Sequence, residues 1–384
     1  MNIVREWHEA SAFRSPLPSS LEDSTCFDVF ETPCIRWDVP PESDIWLARR
    51  SDPMRCRIGG STASAILGLH KYKSAAVAIT ERLCQYNSRI PDRRLQSPWP
   101  AMQPMQRGFM NLGQAGEPRT RSWLRCQGLG ISAPVHVSMG SDESRMDWLA
   151  ITTDGATTCI RDTPLDRVIP LECKFMPSRH GNPDHDVFPL MYAVQVHLQI
   201  CLLGAHHGHY VVTSWDPEAP SMLPNPDKID LTQRPDDVWD MRCFVARTIS
   251  KDDTLHKLLL YALSMQHGDM ERLLTRQSLA QQIKLRQIVA EVRHNMDRGR
   301  IRPWEFNDHI ERAVLASVKP IRVFHERSLR FAEQLGRLIE SSIHRAAPID
   351  VTWEDTPFQE TARFDDTLPS FPVSSSAASI TVRR

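Results

Sequence analysis

The sequence predicts an α/β protein: a mixed sheet flanked by helices, with a helical extension behind it. Three observations carry that expectation. Short runs at 146–152, 156–160, 168–175 and 209–215 are rich in strand-forming residues and bounded by turn residues. Helix-period stretches at 107–127 and 189–203 are interleaved with them, as an α/β core requires. Beyond residue 268, apolar residues such as Ile283, Ile288, Val292 and Met296 recur at helical spacing.

Taken in order, residues 1–43 are rich in Ser, Pro and acids and read as a loose arm with one short docked segment around 34–39. Residues 44–86 alternate short helical patterns with a Gly59-Gly60-Ser61 turn, and the Pro- and Arg-rich stretch 87–106 reads as a loop. In the helix expected at 107–127, Gly113 and Gly116 would let another element approach the backbone closely. Asp154-Gly155 is a turn dipeptide between the first two central strands. After the helix at 189–203 and the strand at 209–215 comes a Pro-rich connector, then a mixed stretch at 235–264. Residues 268–300 and 304–345 read as helical, and the polar, Ser-rich residues 350–384 as a disordered tail. The expected divisions are an arm (1–43), a core (44–216), a mostly helical region (217–349) and the tail.

Composition narrows the function classes. A hydrophobic fraction of 41% can fill a core, and 46 Lys and Arg against 47 Asp and Glu exclude a strongly basic nucleic-acid coat. Only a local basic groove would serve such a partner. No apolar run approaches the roughly 18 residues of a membrane span, and the first residues lack the apolar segment of a signal peptide. The nine cysteines form no C-x-x-C pair. Cys173 and Cys201 sit among apolar residues and read as reduced thiols in an intracellular compartment, cytoplasm or nucleus.

One constellation stands out. Glu172 and Lys174 lie two apart on a strand and therefore share a face. Alone, that pair reads equally well as a buried ion pair, and Asp154 alone as part of a β-turn. Together they make a site for a hard cation, since Mg2+ or Mn2+ takes oxygen ligands and keeps several waters. Asp154, Glu172 and the Cys173 carbonyl would supply the donors, with Glu117 acting through a water, and Lys174 would orient a bound water or stabilise developing charge. Glu117 on an amphipathic helix would ordinarily be a solvated face residue. Tyr192, Gln195 and Gln199 fall on one stripe of an otherwise apolar helix, so they need partners, either within the fold or at a metal-bound water or phosphate.

The order D–x(17)–E–x–K resembles the PD-(D/E)-x-K nuclease superfamily. With Arg57-Ile58-Gly59-Gly60-Ser61-Thr62-Ala63-Ser64, Gly68-Leu69-His70-Lys71-Tyr72-Lys73-Ser74, Gly113-x-x-x-Glu117 and Tyr192-x-x-Gln195-x-x-x-Gln199, residues 46–215 resemble the phage lambda exonuclease family in its YqaJ-like viral recombinase branch. That resemblance implies a restriction-endonuclease-like core and a 5′→3′ exonuclease acting on duplex DNA ends in recombination or repair. It implies catalytic roles for Glu117, Asp154, Glu172, Lys174 and Gln195. Arg57 and Ser64, with Ser61 nearby, would hold a 5′-terminal phosphate. A single-strand annealing protein and a ring-shaped homotrimer are the partners it implies. The Asp154–Glu172 hairpin, with its polar Arg161-Asp162-Thr163-Pro164 tip, is longer than in compact members. A structure-selective endonuclease on the same core and an inactive DNA-end-binding protein are the alternatives. His206, His207 and His209 lack a completing acid or cysteine for a metal site, and the Arg-rich stretches 298–302 and 322–330 read as solvated helix faces.

Overall fold

The computed structural model describes residues 34–35, 58–86, 98–100, 104–126, 131, 134, 136–139, 148–157, 169–176, 188–215 and 241–348. Most of the expected N-terminal arm, Arg57, the hairpin tip, the Pro-rich connector and the Ser-rich tail lie outside these residues. By its contacts the chain divides into Met1–Asp350 and Val351–Arg384, and every described residue belongs to the first unit.

The architecture is mixed α/β, as expected. Strands β1 (Cys34–Ile35) and β2 (Ile58–Gly59) precede helices α1 (Gly60–Ile66), α2 (Ala75–Tyr86) and α3 (Pro104–Cys126). Then come β3 (His136–Met139), β4 (Leu149–Thr152), β5 (Gly155–Thr157), β6 (Ile169–Met176), α4 (Leu190–Leu203), β7 (His207–Trp215) and β8 (Met241–Ser250). The rest is α5 (Asp253–Thr275), α6 (Leu279–Asp297), a 3-10 turn (Pro303–Glu305), α7 (Phe306–Ser317), α8 (Lys319–His344) and β9 (Ala347–Pro348). One sheet has the order β1-β3-β4-β2 and the other β5-β6-β7-β8-β9. The chain passes from the first to the second at Thr153-Asp154.

β6 and β7 run parallel, with Glu172 opposite Tyr210 and Lys174 opposite Val212. Parallel neighbours need a crossover, and α4 supplies it. Most of α4 is buried, which is why its sequence is apolar nearly all round.

β3 and β8 were not legible as strands, and β8 carries no clean alternation because it sits between β7 and β9 with a register shift opposite Val212/Thr213. The helix expected to begin at 268 begins at Asp253, where the Asp252 carboxylate accepts from the Leu255 N–H at 3.0 Å. It breaks before Ser278, whose hydroxyl and Gln281 form a reciprocal cap on α6. The stretch 304–345 breaks at Val318, and Pro320 opens α8, a position that needs no N–H. Residues 298–302 are not a helix face but the turn between α6 and Pro303–Glu305. On α8, Arg322 and Arg330 are exposed, but Arg327 turns inward to pair with Asp269 at 2.5 Å.

One apolar cluster runs through the described residues, from Ile58 and Ile151 through Val194 and Leu259 to Val289, Phe324 and Ile339. α8 packs on α2, α4 and α5, so the C-terminal helices bury the back of the sheet-bearing part. No described helix is long and apolar enough to cross a membrane.

Candidate active site

The site is assembled on the edge of β6 that β5 leaves free. β5 pairs with β6 only as far as Leu171, whose carbonyl accepts from the Asp154 N–H at 3.0 Å. One step further, the Asp154 carboxylate replaces a backbone partner: its Oδ2 accepts from the Cys173 N–H at 2.8 Å. Polar backbone groups alternate sides along a strand, so the Cys173 carbonyl faces this same edge. Glu172 and Lys174 stand together on one face, as their spacing requires.

α3 brings Glu117. It can do so because Gly116 has no side chain: a Cβ there would lie 2.1 Å from Phe175 Cγ. The helix backbone therefore rests on the Phe175 ring, and Glu117 Oε1 reaches to 3.4 Å from Lys174 Nζ. The same ammonium lies 2.7 Å from Glu172 Oε1 and 3.6 Å from Asp154 Oδ2, and 5.5 Å from the centre of the Tyr192 ring. A helix, a turn and a strand thus bring three carboxylates to one cation.

Glu172 is held from α4 as well. Gln199 Nε2 donates to Glu172 Oε2 at 2.6 Å. With its amide nitrogen turned to the carboxylate, Gln195 donates to Glu172 Oε1 at 2.5 Å and its oxygen accepts from the Ser61 N–H at 3.1 Å. The polar stripe on α4 therefore finds its partners inside the fold, one of them at the start of α1.

Burial and charge act against each other here. Burial pushes Glu172 up to about 7 and Asp154 adds to that, while Lys174 and Gln199 oppose it. Burial likewise raises Glu117, against the pull of Lys174. Burial alone would lower Lys174, but Glu172, Asp154 and Glu117 reverse this and hold its ammonium well above the usual range. The Cys173 thiol is fully buried and pushed far up by that burial, which leaves it inert. Cys84, Cys173 and Cys201 carry no disulfide.

Carboxylate and carbonyl oxygens are the donor type a hard divalent cation takes. When all three carboxylates are ionised, they leave two negative charges in excess of the one ammonium they face. As the side chains stand, no group of three or more His, Cys, Asp or Glu among the described residues encloses a metal position. A small ligand set completed by waters is what Mg2+ takes.

Of the residues expected from sequence, Glu117, Asp154, Glu172, Lys174 and Gln195 come together, with the Cys173 carbonyl beside Asp154. Ser61 joins them through its N–H, and its side chain is exposed. Ser64 does not face outward: it is 1% exposed and its hydroxyl donates to the Ser61 carbonyl at 3.4 Å. Arg57 lies outside the described residues. Tyr210 was missed. Its ring stacks on Phe188 at 3.8 Å and lies 5.9 Å from Tyr192, and its buried hydroxyl has no hydrogen-bond partner among the described residues. Only the β6–β7 register places it beside Glu172, and no sequence spacing encodes that register.

No family model matches the chain, and no curated protein matches it. Among solved structures, it is similar to an alkaline exonuclease from Laribacter hongkongensis at 18% identity, over 61% of this chain and 97% of that one, with a TM-score of 0.35. At that distance the likeness bears on neither activity nor substrate.

Proposed function

We propose that the chain is a metal-dependent DNA nuclease. One observation carries this: Glu117, Asp154 and Glu172, far apart in sequence, all face the Lys174 ammonium. A structural ion pair is complete with one carboxylate, and each further buried anion is costly. The excess charge has a use if a divalent cation binds there.

In this reading Asp154, Glu172 and the Cys173 carbonyl hold Mg2+ or Mn2+, with Glu117 acting through a water. When bound, such a cation lowers the pKa of a coordinated water and steadies charge on phosphoryl oxygens. Lys174, kept as an ammonium by its carboxylates, donates hydrogen bonds to the attacking water or to the developing negative charge. Gln195 and Gln199 fix the Glu172 carboxylate so that it is oriented before the cation arrives.

The finer proposal follows the sequence resemblance: a 5′→3′ exonuclease working on duplex DNA ends in recombination or repair. Arg57 and Ser61 are its proposed contacts to a 5′-terminal phosphate. A homotrimer and a single-strand annealing partner are proposed on the same basis. The test is purified protein with Mg2+ on linear and closed circular duplex, with and without a 5′-phosphate. Linear duplex should be degraded, faster when 5′-phosphorylated, and Glu172→Ala and Lys174→Ala should each abolish this. Cleavage of the circle would favour a structure-selective endonuclease, and end binding without cleavage an inactive binding protein. Variants as active as the parent would remove the site from consideration.

A further inference from the structure

A loop and a turn meet that the proposed chemistry does not use. Past α1 the chain runs His70-Lys71-Tyr72-Lys73; Tyr72 is 65% exposed, and Lys71 Nζ stands 5.5 Å from its ring centre. The turn after α6 runs Arg298-Gly299-Arg300-Ile301-Arg302-Pro303-Trp304. Gly299 has a φ of +71°, a left-handed conformation suited to glycine, and it reverses the chain so that Arg298, Arg300 and Arg302 are exposed. Trp304 is 69% exposed, with the Arg302 guanidinium 5.4 Å from its ring centre.

The two segments are fastened to each other. Asn307, one helical turn past Trp304, donates its side-chain N–H to the Tyr72 carbonyl at 3.2 Å. Beneath the turn, Phe306 is buried and packs edge-on against Trp99. Tyr72 follows α1, which packs against α4, the helix that carries Gln195 and Gln199. Two large exposed aromatics, each with a cation over its ring, on segments joined by a hydrogen bond, match one kind of ligand. A flexible strand offers flat bases to stack and phosphates to pair.

We propose that Tyr72 and Trp304 form a base-stacking platform for an unpaired DNA strand, with Lys71, Arg298, Arg300 and Arg302 taking its phosphates. The choice of DNA rests on the nuclease reading; the platform does not. It would hold the strand that a nuclease must separate from its partner or release from it.

The probe is a fluorescein-labelled oligothymidylate of about a dozen nucleotides, followed by anisotropy in EDTA so that no cleavage intervenes. An abasic oligomer of equal length and charge is the control. Tyr72→Ala and Trp304→Ala should each weaken thymidylate binding roughly tenfold, Trp304→Phe should keep most of it, and none should alter abasic binding. Replacing Arg298, Arg300 and Arg302 by Gln together should flatten the dependence of affinity on salt. Unchanged thymidylate affinity in both alanine variants, or equal losses on both oligomers, would overturn the platform. Binding of this kind without cleavage in Mg2+ overturns the nuclease reading alone. Cleavage without aromatic-dependent binding overturns the platform alone.

Discussion

Glu172 is the residue on which the site turns. It is 4% exposed and accepts from Lys174, Gln195 and Gln199. Those donors offset part of what burial costs its charge, and they fix which way its oxygens point. Its pairing with Lys174 was legible from a two-residue spacing on a strand, because strand geometry permits little else. Gln199 stood on the same helical stripe as Gln195, but its partner was not legible, since the register of α4 over β6 is a tertiary fact. Gln199→Ala should therefore cost about 10- to 100-fold in activity or in the Mg2+ concentration needed for it, with the protein still folded. A Mg2+ titration of initial rates checks this, and an unchanged midpoint and rate would show that Gln199 only fills space.

Between elements, the decisive contact is α3 against β6. The sequence offered Gly113 and Gly116 as sites of close approach, and Gly116 is one. It did not say what approaches. That is Phe175, on the same strand as Glu172 and Lys174. Filling Gly116 therefore disturbs packing and chemistry together. Gly116→Val should destabilise the protein by about 1–3 kcal/mol through overpacking, and should lower activity further by moving Glu117 away from Lys174. Urea unfolding together with rates measured well below the transition separates the two effects. A variant of parental stability would mean that Phe175 rearranges freely.

In the molecule as a whole, the C-terminal helices share one core with the sheet-bearing part. A buried histidine pair marks the join: His197 Nδ1 on α4 lies 3.1 Å from His256 Nε2 on α5. Burial lowers His197 to about 3 and His256 to about 4, from 6.5. Below pH 6.5 the unfolded chain therefore binds protons that the folded chain refuses. Their contribution to stability is full above that pH and falls as pH drops toward the folded values. Melting temperature should decline from pH 7 to pH 4.5, and a variant with both histidines replaced by leucine should decline less steeply. An equal slope would place the acid sensitivity elsewhere. By itself the sequence determined the α/β class, the span of α3 to within a few residues, the central strands and the face shared by Glu172 and Lys174. All of these follow from local periodicity and turn chemistry. Only the tertiary structure decided how near Glu117 and Asp154 come to Lys174, that Gln195 and Gln199 donate to Glu172, that Ser64 is turned inward, and that residues 298–302 form a cationic turn. Those outcomes depend on register, helix breaks and packing between segments distant in the chain, where no single local preference is strong enough to choose.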